Sequence, residues 1–219
     1  MIMNEQFTIF ENFKLLSVSQ GLTGKMTGMP ASTSSMLCNK NCKKLMQIKG
    51  SVCEKCYTKK YLSSRPSVDM CYREISDLLS SSIIPKNQLP FVNAAYCRLE
   101  TFGDIINATH LQNYVNLIKK NSHCIFSLFT KNYTVVFDYF KTHKQPSNLS
   151  IVISSLMLNT PFEIQRCVGL TNLKIFTVYT KKHADRHNVT ITCGKNRCID
   201  CRRCYTKNKT PVFIAELLK

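Results

Sequence analysis

Cysteines are the residues of this sequence best suited to chemistry, and eight of the 12 fall into two groups. The first group has the spacing C-x3-C-x10-C-x2-C and the second has the spacing C-x4-C-x2-C-x2-C. The first cysteine group is Cys38, Cys42, Cys53 and Cys56, and the second cysteine group is Cys193, Cys198, Cys201 and Cys204. Two thiolates two residues apart hold a soft metal ion or cluster with little strain. The spacing therefore predicts metal binding by both groups.

The dense spacing of the second group favours an iron–sulfur cluster over zinc. Two successive C-x2-C steps bring three sulfurs onto one short loop, which is typical of iron–sulfur ligands. Four cysteines are also a closed zinc site, so zinc stays the alternative. Basic residues that offset the charge of bound thiolates surround this group, namely Lys195, Arg197, Arg202 and Arg203. We expect a 4Fe-4S cluster in at least one group, and the spacing leaves open whether there are two sites or one.

Disulfide bonds are the weaker interpretation of these cysteines. No secretory signal opens the chain, and nothing else indicates an extracellular protein, so we expect a cytoplasmic location. The longest apolar run, residues 149–158, is too short and too polar to span a bilayer, and we expect no membrane partner.

The charge of the chain favours a polyanionic partner. Lys and Arg number 30 against 13 Asp and Glu, which gives a formal net charge of +17. An excess of this size most simply indicates nucleic acid, and the alternative is a solubilising surface without a partner. Tyrosines that lie close to basic residues could stack on bases, although ordinary packing explains them equally well. They are Tyr57, Tyr61, Tyr72 and Tyr205.

Length and composition indicate a single globular domain. The chain has 219 residues, of which 44% are hydrophobic. Within it we distinguish an N-terminal arm and loop (1–35), the first cysteine segment (36–60), a repetitive body (91–182) and the second cysteine segment (193–205).

Apolar strands alternate with amphipathic helices through the body. Strands are predicted at 91–99, 123–130, 149–156 and 173–180, and helices at 66–82, 111–118, 133–140 and 161–168. Such alternation is typical of βαβ units with a parallel sheet. The predicted fold is α/β, either a partial (βα) barrel or an open parallel sheet, clamped by the cysteine metal sites near both ends of the chain.

The chemistry of such folds lies where the strands end. Glu100 and Asp104, two of the few acids, fall in one short loop after the first predicted strand. We predict them as the acid/base or nucleophile pair, while capping of the next helix or pairing with lysines fits equally well. Cations near strand ends or beside the second group are predicted to contact the substrate. These are Arg98, Lys131, Lys181, Lys182, Arg202 and Arg203.

The other cysteines and a histidine pair have less specific patterns. Cys71, Cys97, Cys124 and Cys167 lie in or beside apolar segments, so we expect core packing. His183 and His187 are four residues apart in a basic stretch, which favours solvated or phosphate-facing histidines over a metal site.

Four segments in order resemble the phage "gene product 88" family and its relatives in mobile elements. They are GKMTGMP at 24–30, CEKCY at 53–57, RLETFGD at 98–104 and C-x2-C-x2-CY at 198–205. The resemblance covers roughly residues 24–205 and implies a phage-type protein, hence a host-cytoplasm location. It draws attention to Arg98, Gly103 and Asp104 but implies no function. Glu100 and Thr101 depart from the His and Ser-like residues expected there.

Two groups of barrel enzymes are similar in architecture. Guanine transglycosylases combine a (βα) barrel with a cysteine-rich metal site and catalytic aspartates. Radical S-adenosylmethionine enzymes are partial (βα) barrels with an early cluster motif, typically C-x3-C-x2-C, whereas here a spacer splits that motif. Fold alone does not give function.

The expected function is nucleic-acid modification, with DNA favoured over RNA. Base exchange is preferred because it needs a positioned carboxylate and no redox chemistry. Asp104 would be nucleophile or acid/base, Glu100 its partner, and Arg98 and Lys131 phosphate or base contacts. A radical reaction with S-adenosylmethionine comes second. A non-enzymatic, metal-stabilised protein that binds nucleic acid or a host protein is the third alternative.

Overall fold

The fold is an α/β fold built on one sheet, seen in a computed structural model that describes residues 17–18, 24–163, 169–194 and 196–218. In this part of the chain the sheet has seven strands. They are β1 Ser17–Val18, β2 Pro30–Ser32, β3 Tyr96–Leu99, β4 Ile125–Thr130, β5 Leu149–Ser154, β6 Leu173–Tyr179 and β7 Val212–Leu217.

The strands lie side by side in the order in which they occur along the chain. The two-residue β1 pairs antiparallel with β2, and every later pair of neighbours is parallel. Because β2 and β7 do not pair within the described residues, the six parallel strands form an open sheet rather than a closed barrel. The predicted α/β class with an open parallel sheet is confirmed, whereas the clamp by metal sites stays a prediction.

Helices fill most connections between the parallel strands. They are α1 Lys40–Leu45, α2 Tyr57–Ser63, α3 Pro66–Ser81, α4 Ala108–Lys120, α5 Tyr133–Thr142, α6 Lys181–Arg186 and α7 Cys198–Cys201. Two helix starts follow from local sequence. Pro66 occupies the first turn of α3, where its missing N–H costs nothing. The side chain of Asn107 caps α4 by accepting a hydrogen bond from the His110 N–H.

The main core lies on the face of the sheet that packs against α3, α4 and α5. Alternate strand residues such as Leu99, Leu128 and Ile153 are fully buried there. Because successive side chains point to opposite faces of a strand, their neighbours lie on the other face, which we call the open face. Arg98 of β3 lies on that open face beside Ser127 of β4.

Two of the parallel strands were missed by the prediction. Pro30–Ser32 forms β2, although this stretch was expected to belong to a loop, and Val212–Leu217 forms β7 beyond the expected body. The first predicted strand was too long, because 91–95 is not strand and only Tyr96–Leu99 pairs. In the predicted helix at 161–168, residues 161–163 are not helical and 164–168 lie outside the described residues, as does most of the N-terminal arm.

Candidate functional site

Asp104 lies at the carboxyl edge of the sheet, in the loop after β3, and is only 4% exposed. Its Oδ1 accepts hydrogen bonds from the hydroxyl of Thr130, at 2.5 Å, and from the N–H of Ile105, at 2.8 Å. Its Oδ2 accepts from the N–H of Lys131, at 2.8 Å. Since Thr130 is the last residue of β4, Asp104 ties together the carboxyl ends of two neighbouring strands.

Burial gives Asp104 an unusual proton affinity. Loss of hydration raises the pKa of this carboxyl from 3.8 to about 6. The hydrogen bonds from Thr130 and Lys131 act in the opposite direction, so they limit the rise without cancelling it. A carboxyl group with this pKa exchanges a proton near neutral pH, as an acid/base residue must.

Glu100 is the centre of a buried hydrogen-bond network. Its Oε1 accepts from the hydroxyl of Tyr114 at 2.6 Å, and its Oε2 accepts from the hydroxyl of Ser34 at 2.8 Å. His110 Nε2 lies 3.2 Å from Oε1, and since Nδ1 of that ring accepts from the Ile106 N–H, the hydrogen sits on the nitrogen that faces Glu100.

The network keeps Glu100 ionised. Burial acts to raise the pKa of this carboxyl, but the contacts of His110, Tyr114 and Ser34 together lower it below its ordinary value. The backbone of Glu100 has φ 59°, which is rare for a residue other than glycine and marks a strained loop. This arrangement suits an ionised residue that holds the loop in shape, and its predicted catalytic role stays a prediction.

The first cysteine group begins next to Asp104. It follows β2, and Asn39 connects the two loops, since its side-chain amide donates to the carbonyl of Asp104 at 2.8 Å. The same side chain caps α1 by accepting from the N–H groups of Asn41 and Cys42. Asn39 therefore fixes the start of the helix that carries Cys42 against the Asp104 loop.

Cys42 and Cys53 are electrostatically coupled to the carboxylates. Burial raises the pKa of the Cys42 thiol, and the charge of Asp104 raises it further. Cys53 and Glu100 act in the same direction, and the ammonium group of Lys131 acts against them. Burial also raises the pKa of Cys53. Thiolates can persist in this setting when a metal offsets their charge.

The thiols of the first group do not converge on one point as the ligands of a metal ion would. The eight cysteines of the two groups are all free thiols. Among the described residues no three or more His, Cys, Asp or Glu side chains stand in metal-binding positions, so the predicted ligands remain a prediction. Cys53 is coupled both to Cys42 and to Cys56, whereas the thiol of Cys38 donates to the carbonyl of Ser35 at 3.3 Å.

An aromatic stack borders the same edge. The ring of Phe102, two residues before Asp104, is stacked on Tyr61 at 5.0 Å and on Tyr72 at 5.8 Å. The guanidinium group of Arg65 covers the other side of Tyr61, at 4.1 Å. Tyr57 meets Phe102 edge-on and remains 69% exposed. Tyr57 therefore offers an aromatic face to solvent next to the first cysteine group.

Arg98 is directed away from this edge. It lies within β3, and its guanidinium group covers the ring of Phe129 on the open face, at 3.6 Å. Its charge lowers the pKa values of Cys198 and Cys204, although burial raises both more strongly. The structure therefore places Arg98 with the second cysteine group rather than beside Asp104.

The remaining predicted contact residues are spread over other surfaces. Lys181 pairs with Asp185 on α6, and Lys182 is exposed on the same helix. Arg202 and Arg203 are exposed beside the second cysteine group, and Arg202 lies over the ring of Tyr96 at 5.3 Å. Lys131 is the one of the six predicted cations whose backbone contacts Asp104 within the described residues.

The described cysteines outside the two groups belong to the core or pack against it. Cys97 and Cys124 are fully buried in the main core, and Cys71 packs against it, as expected. For Tyr205 the structure supports ordinary packing, the alternative to stacking on bases, because the residue is 2% exposed and its hydroxyl contacts the sulfur of Met29. Cys167 and Lys195 lie outside the described residues.

Sequence reasoning missed the polar residues that hold the site together. Thr33, Ser34 and Asn39 follow β2 and bind the loop that contains Asp104. The available signal was the run Ser32–Thr33–Ser34–Ser35, four small hydroxyl residues that are all buried.

Comparison with known proteins gives one family. A family model described as gene product 88 matches residues 11–214. No curated protein and no solved structure matches the chain. In the part of the chain that the structure describes, no helix is long and apolar enough to cross a membrane.

Proposed function

The chain belongs to the gene product 88 family, and we propose that it is an iron–sulfur enzyme that modifies nucleic acid. The reaction takes place at the carboxyl edge of the parallel sheet, where the first cysteine group holds the cluster. The observation that carries this proposal is the link through Asn39, which binds the carbonyl of Asp104 and also caps the helix that carries Cys42. The charge of the buried Asp104 carboxylate accordingly acts on the thiols of Cys42 and Cys53.

Three thiols are the best ligand set for the cluster. The charge of Cys53 acts on the pKa of Cys42, and the charge of Cys56 acts on the pKa of Cys53. The thiol of Cys38, in contrast, donates to a backbone carbonyl. Three thiolates leave one iron of a 4Fe-4S cluster open, and an open position is what a catalytic metal centre needs. If these thiols hold a 4Fe-4S cluster, the cluster, once reduced by an external one-electron donor, would supply the electron that cleaves a C–S bond of S-adenosylmethionine into methionine and a 5′-deoxyadenosyl radical.

The sheet supports this class of reaction over base exchange. Six parallel strands in sequential order, left open at one side, are similar to the partial (βα) barrel of radical S-adenosylmethionine enzymes. The first cysteine group follows β2, the first parallel strand, and thus lies early in the fold, as the cluster motif of those enzymes is early in theirs. The likeness is one of architecture, and the proposal rests on it together with the position of the thiols.

Nucleic acid is the proposed substrate because charge and aromatic exposure coincide at this edge. The chain carries +17, and exposed Lys59 and Lys60 lie on α2 close to Tyr57. A base stacked on Tyr57 would lie next to the first cysteine group, with its phosphates near those lysines. We call the exposed ring of Tyr57, with Lys59 and Lys60, the platform. Tyr57 Oη donates to the carbonyl of Thr101 at 3.3 Å, and this hydrogen bond connects the platform to the Asp104 loop.

Base exchange is the second candidate, favoured by the pKa of about 6 of Asp104. A nucleophile, however, needs a free oxygen that faces the substrate. Both oxygens of Asp104 accept hydrogen bonds, and the residue is 4% exposed. Asp104 is therefore better suited to hold a proton and to position the strand ends than to attack a sugar. The same geometry leaves a non-enzymatic binding protein as the third candidate.

The test is metal and sulfide analysis of anaerobically purified protein. We compare the wild type with Cys42→Ser/Cys53→Ser and with a matched control, Cys71→Ala/Cys124→Ala, which removes two thiols outside both groups. The wild type and the control are expected to be brown and to contain iron and labile sulfide. The Cys42→Ser/Cys53→Ser variant is expected to lose the iron and sulfide of one cluster. Equal iron and sulfide in all three proteins would overturn the assignment, and zinc alone in the wild type would remove the radical reaction.

A further inference from the structure

We propose that the second cysteine group binds a thiophilic metal centre that fastens the first and last parallel strands of the open sheet together. This site is separate from the proposed reaction site, and its role is structural. Three features favour it: the cysteine segment runs from β7 to the approach of β2, its four cysteines line one cavity, and cations lie close to these cysteines.

The segment that carries the second group spans the opening of the sheet. At one end it runs beside β7, where the N–H of Cys193 donates to the carbonyl of Ala215 at 2.9 Å. At the other end the N–H of Cys198 donates to the carbonyl of Lys25, just before β2, at 2.6 Å. The segment therefore reaches from the last parallel strand to the approach of the first.

Side chains reinforce the same connection. The ammonium group of Lys25, before β2, pairs with the carboxylate of Glu216 on β7 and lies 3.6 Å from the sulfur of Cys193. The hydroxyl of buried Tyr205 contacts the sulfur of Met29, at 2.8 Å. Because β2 and β7 share no backbone pairing within the described residues, these contacts and the cysteine segment connect the two sides.

All four cysteines of the second group line one cavity of about 310 Å³. Cys198 and Cys201 are the ends of the short helix α7, and a spacing of three residues puts them on the same helix face. Arg202 has φ 53° and ends the helix, so that the chain turns back before Cys204. Among the described side chains no three or more His, Cys, Asp or Glu residues are placed to hold a metal ion. The four thiols must therefore rotate into the cavity to bind a metal.

The charges around the cavity are those that a thiolate centre requires. Four thiolates on one divalent metal leave a net negative charge, which is stable in a buried place only with cations nearby. Lys25 lies beside Cys193, and the charge of Arg98 acts on Cys198 and Cys204.

Arg98 supplies an independent observation in favour of an anionic centre on the open face. Its Nε is buried and has no hydrogen-bond partner within the described part of the chain. A buried guanidinium nitrogen without a partner is costly, so an anionic group is expected to face it. The segment of the second cysteine group lies on the same open face, since Arg202 and Tyr205 contact the ring of Tyr96 of β3. A metal centre with four thiolates there would provide that negative charge.

The experiment separates this centre from the one at the first cysteine group. The starting protein is Cys42→Ser/Cys53→Ser, purified once anaerobically and once with added zinc, and its metal is measured by mass spectrometry. We expect one further metal centre, either zinc or iron with sulfide, which is lost when Cys198→Ser and Cys204→Ser are added. Loss of all metal from the starting protein, or full retention after the second pair of substitutions, would overturn the proposal.

Hydrogen exchange tests the fastening role in the wild-type chain, so that it does not depend on a variant that folds. Removing the metal with a chelator is expected to speed amide exchange in Val212–Leu217 by about tenfold or more, because local opening of β7 becomes easier. Exchange in Ile125–Thr130, at the centre of the sheet, serves as the internal control and should change much less. Equal effects in the two strands, or no effect in β7, would contradict a metal that fastens the edge.

Discussion

Gly103 lies where the loop after β3 passes closest to the loop after β2. A Cβ atom at this position would come within 2.2 Å of the Ser34 hydroxyl oxygen and 2.4 Å of the Ser34 carbonyl oxygen. The hydroxyl of Thr33 also accepts hydrogen bonds from the N–H groups of Phe102 and Gly103. Close approach of two backbones, rather than an unusual φ, is therefore the reason for glycine here.

The substitution Gly103→Ala should be strongly destabilising. Backbone cannot move aside as a flexible side chain can, so we expect a loss of about 3 kcal/mol in the free energy of unfolding. Gly28→Ala is the control, since a Cβ there meets nothing within 4 Å and only the φ of +77° opposes it; its cost should be about 1–2 kcal/mol. Urea unfolding of both variants makes the comparison, and equal costs would show that the two loops are not tightly packed.

Asp104 should make stability fall as the pH rises. Its pKa is raised from 3.8 to about 6, so the folded protein holds this proton more tightly than the unfolded chain does. The resulting stabilisation is fully present below pH 3.8 and is lost as the pH rises through about 6. Its size is about 3 kcal/mol.

Asp104→Asn removes this dependence, because the amide does not titrate. Unfolding free energies of both proteins are measured from about pH 4 to pH 7. The stability of the wild type minus that of the variant should decrease across this range, and the shift of Glu100 cancels in the difference. The variant also loses an acceptor for the Lys131 N–H, which lowers its stability at every pH. Two parallel curves would mean that Asp104 titrates normally.

At the scale of elements, the spacing of apolar residues predicted those helices and strands whose formation depends on local sequence. The helix α4 has a strong apolar face and is capped at its start by Asn107. The strand β2 could not be found in this way, because Pro30–Ser32 is three residues long and has no apolar run. Its strand character comes from pairing with β3, which is a tertiary effect.

The sequence predicted which acidic residues lie at the site, but not the side chains that surround them. Two acids after an apolar strand indicated Glu100 and Asp104, and both do lie at the carboxyl edge. Their different surroundings could not be predicted, since Tyr114 and Ser34 reach Glu100 from elements that are distant in sequence. Arg98 shows the same limit, because a one-residue difference in strand register decides which face a side chain occupies.

The platform at the start of α2 leads to a prediction about binding. Tyr57→Ala should weaken single-stranded nucleic acid binding by about 1–3 kcal/mol, because the stacking face is lost, while Tyr57→Phe should bind nearly as well as the wild type. The matched control is Phe91→Ala, since Phe91 is 66% exposed but stacks on His123, away from the cysteine groups. Fluorescence anisotropy measures the affinities. Equal losses for Tyr57→Ala and Phe91→Ala would contradict a specific platform.

At the scale of the whole molecule, the charge of +17 predicts that binding depends on salt. If about five phosphates are contacted, affinity for a single strand should fall roughly 100-fold between about 50 and 200 mM salt, as counterions are released. Replacing exposed Lys59 and Lys60 with glutamine should make this slope shallower, whereas the same change at exposed Lys119 and Lys144 should not. Affinity that is independent of salt would rule out phosphate contacts as the main interaction.

The open sheet gives the molecule two regions with different tasks. The carboxyl edge combines the first cysteine group, Asp104 and Tyr57, and we assign the reaction to it. The open face carries Arg98 and the second cysteine group, and we assign structural closure to it. The proposed radical reaction would use an open iron at the first region, whereas the proposed structural centre at the second region would be closed by four thiolates.

The most direct test is electron paramagnetic resonance of the anaerobically purified, reduced protein before and after addition of S-adenosylmethionine. We expect a cluster signal whose shape changes when S-adenosylmethionine is added, because the co-substrate would bind the open iron. The change should disappear in Cys42→Ser/Cys53→Ser and persist in Cys71→Ala/Cys124→Ala. A cluster signal that S-adenosylmethionine leaves unchanged, or the absence of any cluster signal from the wild type, would contradict a radical site at the first cysteine group.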